Sequence, residues 1–235
     1  MGIFGFGKDS DDESDAAGGA GPGSALDTAP AKGSGAGGAL VERLMDAGID
    51  GKGRFDSAGE VAAKAVREHG TPDEAVDAIV ASHLRLAAAG GFVTSLGGFV
   101  TMPVALPANV LGFYVIATRM VASIASVRGY DIRQPEVRSA VLLTLIGADS
   151  DDLLKKAGML SSGRLASLAT QRLPAPVLLA VNKGIGFRLL RQVGEKSLTR
   201  FGKGVPLVGG FVGAGVDSYM LKKIGDKARI ELPVR

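Results

Sequence analysis

The sequence predicts an all-α protein, a helical bundle with two glycine-rich helical hairpins, preceded by a disordered N-terminal tail. Helix start and stop signals recur at helical spacing along the chain. No segment alternates apolar and polar residues at the period of two that is typical of strands. With 46% hydrophobic residues among 235, the chain holds enough apolar side chains for one core.

Residues 1–38 are predicted to form the disordered tail, and residues 39–235 the helical domain. The tail is acidic and then rich in Gly, Ala, Ser and Pro, so it buries too little apolar surface to offset the entropy of ordering. Its hydrophobic start, with Ile3, Phe4 and Phe6, is a candidate for docking to a partner protein or to a membrane interface. The start lacks a basic region and an apolar stretch of secretory length, which predicts a cytoplasmic protein.

Capping signals and periodicity place the helices of the domain. Residues 57–60, Ser-Ala-Gly-Glu, form a capping box whose helix is expected to end at Gly70. Residues 71–74, Thr-Pro-Asp-Glu, form a second capping box with proline at the first helical position. Further helices are predicted over residues 135–146, from Ser150 onward, and over about 163–172, 175–192, 195–201 and 206–229.

Residues 90–115 contain no charged side chain but are interrupted by glycines and by Pro103 and Pro107, which are expected to break the helix. A membrane span needs about 20 apolar residues, and the part before Pro103 is too short. The part after Pro107 is long enough but carries Arg119, at a cost of roughly 3 kcal/mol near the centre of a bilayer. A simple pair of membrane spans is therefore disfavoured.

The tetrapeptide Gly-Gly-Phe-Val occurs at residues 90–93, 97–100 and 209–212. Glycine in an exposed helix costs up to about 1 kcal/mol, so both regions are expected to form half-length helices whose backbones pack closely on a neighbour. Two settings stay open, a soluble core of small residues and partial insertion into a membrane. The residues predicted to mediate this packing or membrane contact are Gly91, Phe92, Gly98, Phe99, Pro103, Pro107, Pro206, Gly209, Phe211 and Gly213.

The net charge of +3 hides a strong polarity. Residues 1–38 hold two lysines against six acids, whereas residues 155–235 hold fifteen basic residues against four acidic ones. The cationic end predicts phospholipid head groups or nucleic acid as a partner, or is simply a solvated basic face. Nucleic acid is disfavoured, because the region lacks the signatures of RNA or DNA readers. The residues predicted to bind an anionic surface, interleaved with apolar ones, are Lys183, Arg188, Arg191, Lys196, Arg200 and Lys203.

We predict no catalytic residue, no metal site and no cofactor, and therefore no enzyme. The chain has no cysteine, and its two histidines, His69 and His83, have no cluster of acids nearby in the sequence, which favours capping and packing roles. An enzyme would need a polar pocket that brings His83 near an acid. Asp131 and Asp217 are isolated beside apolar segments and are candidates to anchor Arg119 or another cation.

The chain resembles the bacterial EcsC family over about residues 55–230. The likeness rests on residues 106–147, with Gly-Tyr-Asp followed by Pro-Glu, and on the proline- and glycine-rich block at residues 202–228. Many relatives place an aspartate before the second proline of the first block, where this chain has Ala105 and Leu106. The resemblance implies a mostly helical, membrane-associated protein, named after an operon with an ABC transporter. It implies no catalytic residue.

These observations predict a non-enzymatic protein at the inner face of the cell membrane that binds an anionic phospholipid surface. A role as an accessory to a transporter or to an envelope process fits this location. The alternative is a soluble interaction module, recruited to a larger assembly through its hydrophobic N-terminal peptide.

Overall fold

The computed structural model describes residues 35–52, 56–96, 102–147, 149–159, 165–201 and 206–235. These residues form helices and no strand, which confirms the predicted all-α class. The helices are α1 (Ala36–Leu44), α2 (Ala58–Glu68), α3 (Pro72–Leu96), α4 (Met102–Val127), α5 (Pro135–Ile146), α6 (Asp149–Lys156), α7 (Leu165–Thr170), α8 (Ala175–Phe201) and α9 (Pro206–Glu231), with a π-helical turn (Met45–Ile49) after α1.

Both predicted capping boxes are present. The backbone N–H of Glu60 donates to the Ser57 hydroxyl at 3.2 Å, and the Ser57 N–H donates to the Glu60 carboxylate at 2.8 Å. At the start of α3, the Glu74 N–H donates to the Thr71 hydroxyl at 3.3 Å, and the Thr71 N–H donates to the Glu74 carboxylate at 3.0 Å. Each cap stabilises its helix by about 1 kcal/mol. Gly147 ends α5 as predicted, with a φ of 66° that suits glycine.

The central element is α4, which contacts α1, α2, α3, α5, α8 and α9. Between Val110 and Ala125 most of its side chains are buried on every side, as expected of a helix that is apolar all round. Its polar groups are satisfied locally or across the core. The Tyr114 hydroxyl donates to the Gln192 side chain of α8 at 2.9 Å, and the Ser123 hydroxyl donates to the Ala58 carbonyl of α2 at 3.1 Å.

The predicted helix breaks at Pro103 and Pro107 are wrong, because both prolines lie in the first two turns of α4. The first four N–H groups of a helix have no partner within it, so Pro103 removes no hydrogen bond and Pro107 removes one. The predicted break between residues 192 and 195 is also absent, since α8 runs through it. The described parts of the glycine-rich segments, residues 90–96 and 206–213, are therefore ends of long helices, not half-length helices.

The first described helix, α1, packs on α8 through backbone contact. A Cβ atom at Gly37 would lie only 2.9 Å from the carbonyl carbon of Gly186, so a side chain there would push the helices apart. This crossing ties α1 to the last third of the fold. The helix starts at Ala36, within the stretch that the sequence assigns to the tail.

The C-terminal end of α9 is clamped to the segment after α4. The Arg128 guanidinium donates to the carbonyl oxygens of Arg229 and Leu232, the latter at 2.8 Å. The Tyr130 hydroxyl donates to the Pro233 carbonyl at 3.0 Å, and the Arg235 guanidinium lies 5.5 Å from the centre of the Tyr130 ring. Tyr130, in the Gly-Tyr-Asp block on which the family resemblance rests, thus has a structural role.

Candidate membrane-contact surface

One side of α8 carries large apolar side chains that no other helix in the described part of the chain covers. Leu179 is 70% exposed and Phe187 is 68% exposed, which is unusual for residues of this size in a helix of a packed bundle. The exposed residues recur three or four positions apart, so they form one stripe along the helix. We call this set the α8 stripe; it consists of Pro176, Leu179, Ala180, Lys183, Phe187, Leu190 and Arg191.

The opposite side of α8 is buried in the core. Val181, Ile185 and Leu189 are inaccessible to solvent. Between the buried and exposed sides, Gly186 contacts α1 and Gly184 contacts the Leu153 side chain of α6. Successive residues of a helix are rotated by about 100°, so α1 and α6 lie on either side of the stripe. The stripe is therefore a ridge between two neighbouring helices.

Two of the predicted cations lie on this ridge. Lys183 and Arg191 are exposed. Arg188 is directed to the side instead, where its guanidinium forms an ion pair with Asp152 of α6 and only 14% of its side chain is exposed. Hydrogen bonding from Lys156, and then the nearby positive charges, lower the pKa of Asp152 and keep it ionised. Arg188 thus serves the fold, and the sequence pattern alone did not separate it from its neighbours.

The remaining predicted cations lie in parts that the structure describes less fully. Lys196 and Arg200 belong to the last turns of α8, and their side chains lie outside the described part. Lys203 lies outside the described residues altogether, as do Gly98 and Phe99. The same holds for the predicted docking residues Ile3, Phe4 and Phe6.

The other predicted packing residues fall on helix ends. Gly91 and Phe92 lie in the last two turns of α3, and Pro103 and Pro107 in the first turns of α4. Side chains in these turns lie outside the described part, so their contacts stay a prediction. The first turns of α9, likewise described by backbone only, contain Pro206, Gly209, Phe211 and Gly213.

The glycine-rich ends meet at one end of the bundle. Asp77 of α3 pairs with Arg229 of α9 at 2.6 Å, and a Cβ at Gly225 would lie 3.3 Å from Val80. These contacts show that α3 and α9 run antiparallel, so the end of α3 lies beside the start of α9. In the chain, α4 follows α3 and α8 precedes α9. The start of α4 and the last turn of α8 are therefore placed at this same end.

The family model of the EcsC protein family matches residues 70–235. The chain belongs to the EcsC family. The matched region, called the EcsC region below, contains α3 to α9, including the α8 stripe and the glycine-rich ends. No curated protein and no solved structure matches the chain significantly.

The EcsC region exposes a second, smaller apolar group that the sequence reading missed. Val216 and Tyr219 of α9 are exposed, and so is Leu86 of α3, the helix that packs on α9. The ion pair between Lys222 and Asp226, at 2.8 Å, lies further along the same helix. The sequence signal for this group is a helix face that is otherwise charged but carries apolar residues three or four positions apart.

One buried polar pair of the EcsC region consists of His83 on α3 and Arg119 on α4. The His83 Nδ1 lies 2.8 Å from the Ile79 carbonyl, and the Arg119 Nε–H donates to the His83 Nε2 at 3.3 Å. Burial lowers the pKa of His83 to about 4, with the charge of Arg119 acting in the same direction. Its Nε2 lone pair already accepts a hydrogen bond, so this histidine is arranged as a packing residue rather than as a base.

The two isolated aspartates have different settings. Asp131 forms an ion pair with Arg133 at 3.0 Å. Arg133 is exposed, so the cation that Asp131 binds lies at the surface and not in the core. Asp217 is buried in α9, and its predicted link to Arg119 stays a prediction.

A cleft of about 380 Å³ lies between the π-helical turn, the start of α2 and the segment after α4. Charged groups in its lining pair with each other, Arg138 with Asp50 and Arg133 with Asp131. Within the described ranges, no three His, Asp or Glu side chains are grouped as a metal site would require.

Within the described chain, one segment is long and apolar enough to cross a membrane, Val110–Val127 of α4. It is 72% buried inside the bundle, in contact with the other core helices. Its burial makes it the central core helix of the bundle.

Proposed function

We propose that this EcsC-family chain is a non-enzymatic peripheral protein that binds an anionic membrane surface from the cytoplasmic side. The observation that supports this best is the α8 stripe. It places Leu179, Phe187 and Leu190 in solvent on the same face as the cations Lys183 and Arg191. A helix with this composition buries its apolar side chains at the boundary of head groups and acyl chains, while its cations meet anionic lipids.

The expected strength is modest. Burial of each of the three apolar side chains contributes about 1.5 kcal/mol, and each of the two cations about 1 kcal/mol. The sum is roughly 6.5 kcal/mol before the cost of immobilising the protein. Such binding is reversible and depends on both lipid charge and salt. We therefore expect a protein that partitions between membrane and solution.

The glycine-rich end of the bundle supports a second zone of contact. The ends of α3 and α8 and the starts of α4 and α9 gather there, and residues 90–115 carry no charge. Residues 90–115 tolerate contact with lipid because they carry no charge, and small residues let the helix backbones pack closely in that setting. We propose that this end faces the membrane beside the α8 stripe.

The wider role that we propose is that of an accessory to a transporter or to an envelope process. Its support is the family membership together with the proposed location at the membrane. The alternative is recruitment to an assembly through Ile3, Phe4 and Phe6. Deletion of residues 1–34 in cells distinguishes the two proposals and leaves α1 intact. Membrane location survives the deletion if the α8 stripe anchors the protein, and is lost if the N-terminal peptide does.

Flotation with vesicles tests the membrane proposal. The purified chain is mixed with neutral vesicles of phosphatidylcholine or with anionic vesicles that also contain phosphatidylglycerol, at low and at high salt. We expect binding to the anionic vesicles at low salt and a reduced bound fraction in Leu179→Ser/Phe187→Ser and in Lys183→Glu. The matched control is Lys64→Glu/Val66→Ser, which changes an exposed cation and an exposed apolar residue on α2. Equal flotation of all variants, or none by the wild type, contradicts the proposal.

A further inference from the structure

We infer that the acidic N-terminal tail binds the α8 stripe of its own molecule and competes there with the anionic membrane. The tail is defined here as residues 1–34, which precede the described chain. Only the competition rests on the proposed function. Contact between the tail and α8 is a separate claim with its own test.

The first support is the point at which the tail joins the fold. The described chain begins at Gly35, and Gly37 contacts the α8 backbone. A Cβ at Gly37 would lie 2.9 Å from the Gly186 carbonyl carbon and 3.2 Å from the Phe187 nitrogen. The tail therefore ends three residues before a contact with the middle of the α8 stripe.

The second support is complementary chemistry. Residues 9–15, with the sequence Asp-Ser-Asp-Asp-Glu-Ser-Asp, concentrate negative charge, and the hydrophobic residues of the sequence Ile-Phe-Gly-Phe precede them at residues 3–6. The stripe offers the matching pair of features, the cations Lys183 and Arg191 beside exposed apolar side chains. Negative charge next to apolar groups is also what an anionic membrane presents, so tail and membrane suit the same surface.

The third support is reach. Residues 9–15 lie about 20 to 26 positions before Gly35, and a chain rich in Gly, Ala and Ser spans about 25–30 Å over that length. The stripe from Leu179 to Arg191 is about 18 Å long. A tethered segment of this kind has an effective concentration in the millimolar range, so contacts too weak to hold a free peptide are sufficient.

Charge favours the tail over a second copy of the chain as the occupant. Two copies that meet through this surface would bring Lys183 and Arg191 against the same cations of the other molecule. Like charges at such short range oppose association.

Paramagnetic relaxation in the full-length chain, without lipid, tests the contact. The chain contains no cysteine, so Ser10→Cys provides a single site for a nitroxide label. At low salt we expect loss of amide signal intensity along residues 179–191 of α8, while the amides of α2 keep theirs. The loss should disappear at about 1 M salt, where the Debye length falls to about 3 Å.

Variants separate a specific contact from a general collapse of the tail. Lys183→Glu/Phe187→Ser should restore the α8 signals, and Lys64→Glu on α2 should leave the loss unchanged. Full signal intensity on α8 in the wild type, or equal losses over all helices, overturns the inference. So does a loss on α8 that persists in Lys183→Glu/Phe187→Ser.

Flotation then tests the competition. Asp11→Asn/Asp12→Asn/Glu13→Gln weakens the tail's charge, and we expect its bound fraction on anionic vesicles to rise several-fold over wild type at low salt. An unchanged or lower bound fraction contradicts the competition. A clear relaxation effect together with no binding of any variant to vesicles overturns the proposed function and the competition, but leaves the contact between tail and α8 in place.

Discussion

The buried pair of His83 and Arg119 predicts a specific loss of stability in mild acid. The pKa of His83 is lowered by burial from the ordinary 6.5 to about 4, so the folded chain binds a proton there less readily than the unfolded chain. Its contribution to stability is therefore complete above about pH 6.5 and is lost as the pH falls toward 4. A shift of this size corresponds to roughly 3 kcal/mol, because one pKa unit is about 1.4 kcal/mol.

The assay is urea unfolding followed by circular dichroism at several pH values from 7.5 to 4.5, compared between wild type and His83→Gln. The glutamine variant lacks the titrating group, so its free energy of unfolding should fall less over this range. His69→Gln, at the partly exposed end of α2, controls for the removal of an imidazole. The reasoning is refuted if wild type and His83→Gln lose stability in parallel, since the pH dependence would then arise from other groups.

Two further predictions concern the helix contacts. Gly186→Ala places a methyl group against the α1 backbone and should lower the free energy of unfolding by about 1–3 kcal/mol. A Cβ at Gly194 would meet no atom within 4 Å, so Gly194→Ala should raise the free energy of unfolding by up to about 1 kcal/mol. The urea midpoints of both variants check this prediction, and equal midpoints contradict it. Arg128→Leu removes the hydrogen bonds to the carbonyls of Arg229 and Leu232, so amide exchange at the end of α9 should become faster while exchange in α5 changes less. An unchanged exchange rate at Leu232 would show that the clamp is dispensable.

Local chemistry made the helix starts predictable. A capping box needs only side chains and N–H groups within one turn, so Ser57 with Glu60 and Thr71 with Glu74 were visible in the sequence. The helix end at Gly147 was visible for the same reason, because its positive φ is a property of one residue.

Long-range contacts were not predictable in the same way. Prolines in the first turns of a helix look like breaks until the start of that helix is known, as Pro103 and Pro107 show. Arg188 had the same sequence surroundings as Lys183, and only the position of Asp152 on α6 shows that Arg188 is paired at the side of the helix while Lys183 is exposed. The contact of Gly37 with Gly186 joins residues almost 150 positions apart, which no periodicity can indicate.

Helix α1 lies outside the region that the family model matches, yet it packs against that region. The EcsC region starts at residue 70, whereas α1 and α2 precede it and pack on its helices α8 and α4. The tail is thereby attached next to the α8 stripe rather than at a distance from it. This placement is the physical basis for linking the acidic tail to the cationic surface.

The central claim is that the α8 stripe holds the protein on an anionic membrane. Its most direct measurement is the bound fraction on anionic vesicles at low salt for wild type, Leu179→Ser/Phe187→Ser and Lys64→Glu/Val66→Ser. We expect wild type and the α2 variant to float with the vesicles to the same extent, and the α8 variant to show a clearly reduced bound fraction. Flotation of the α8 variant equal to that of wild type would contradict it.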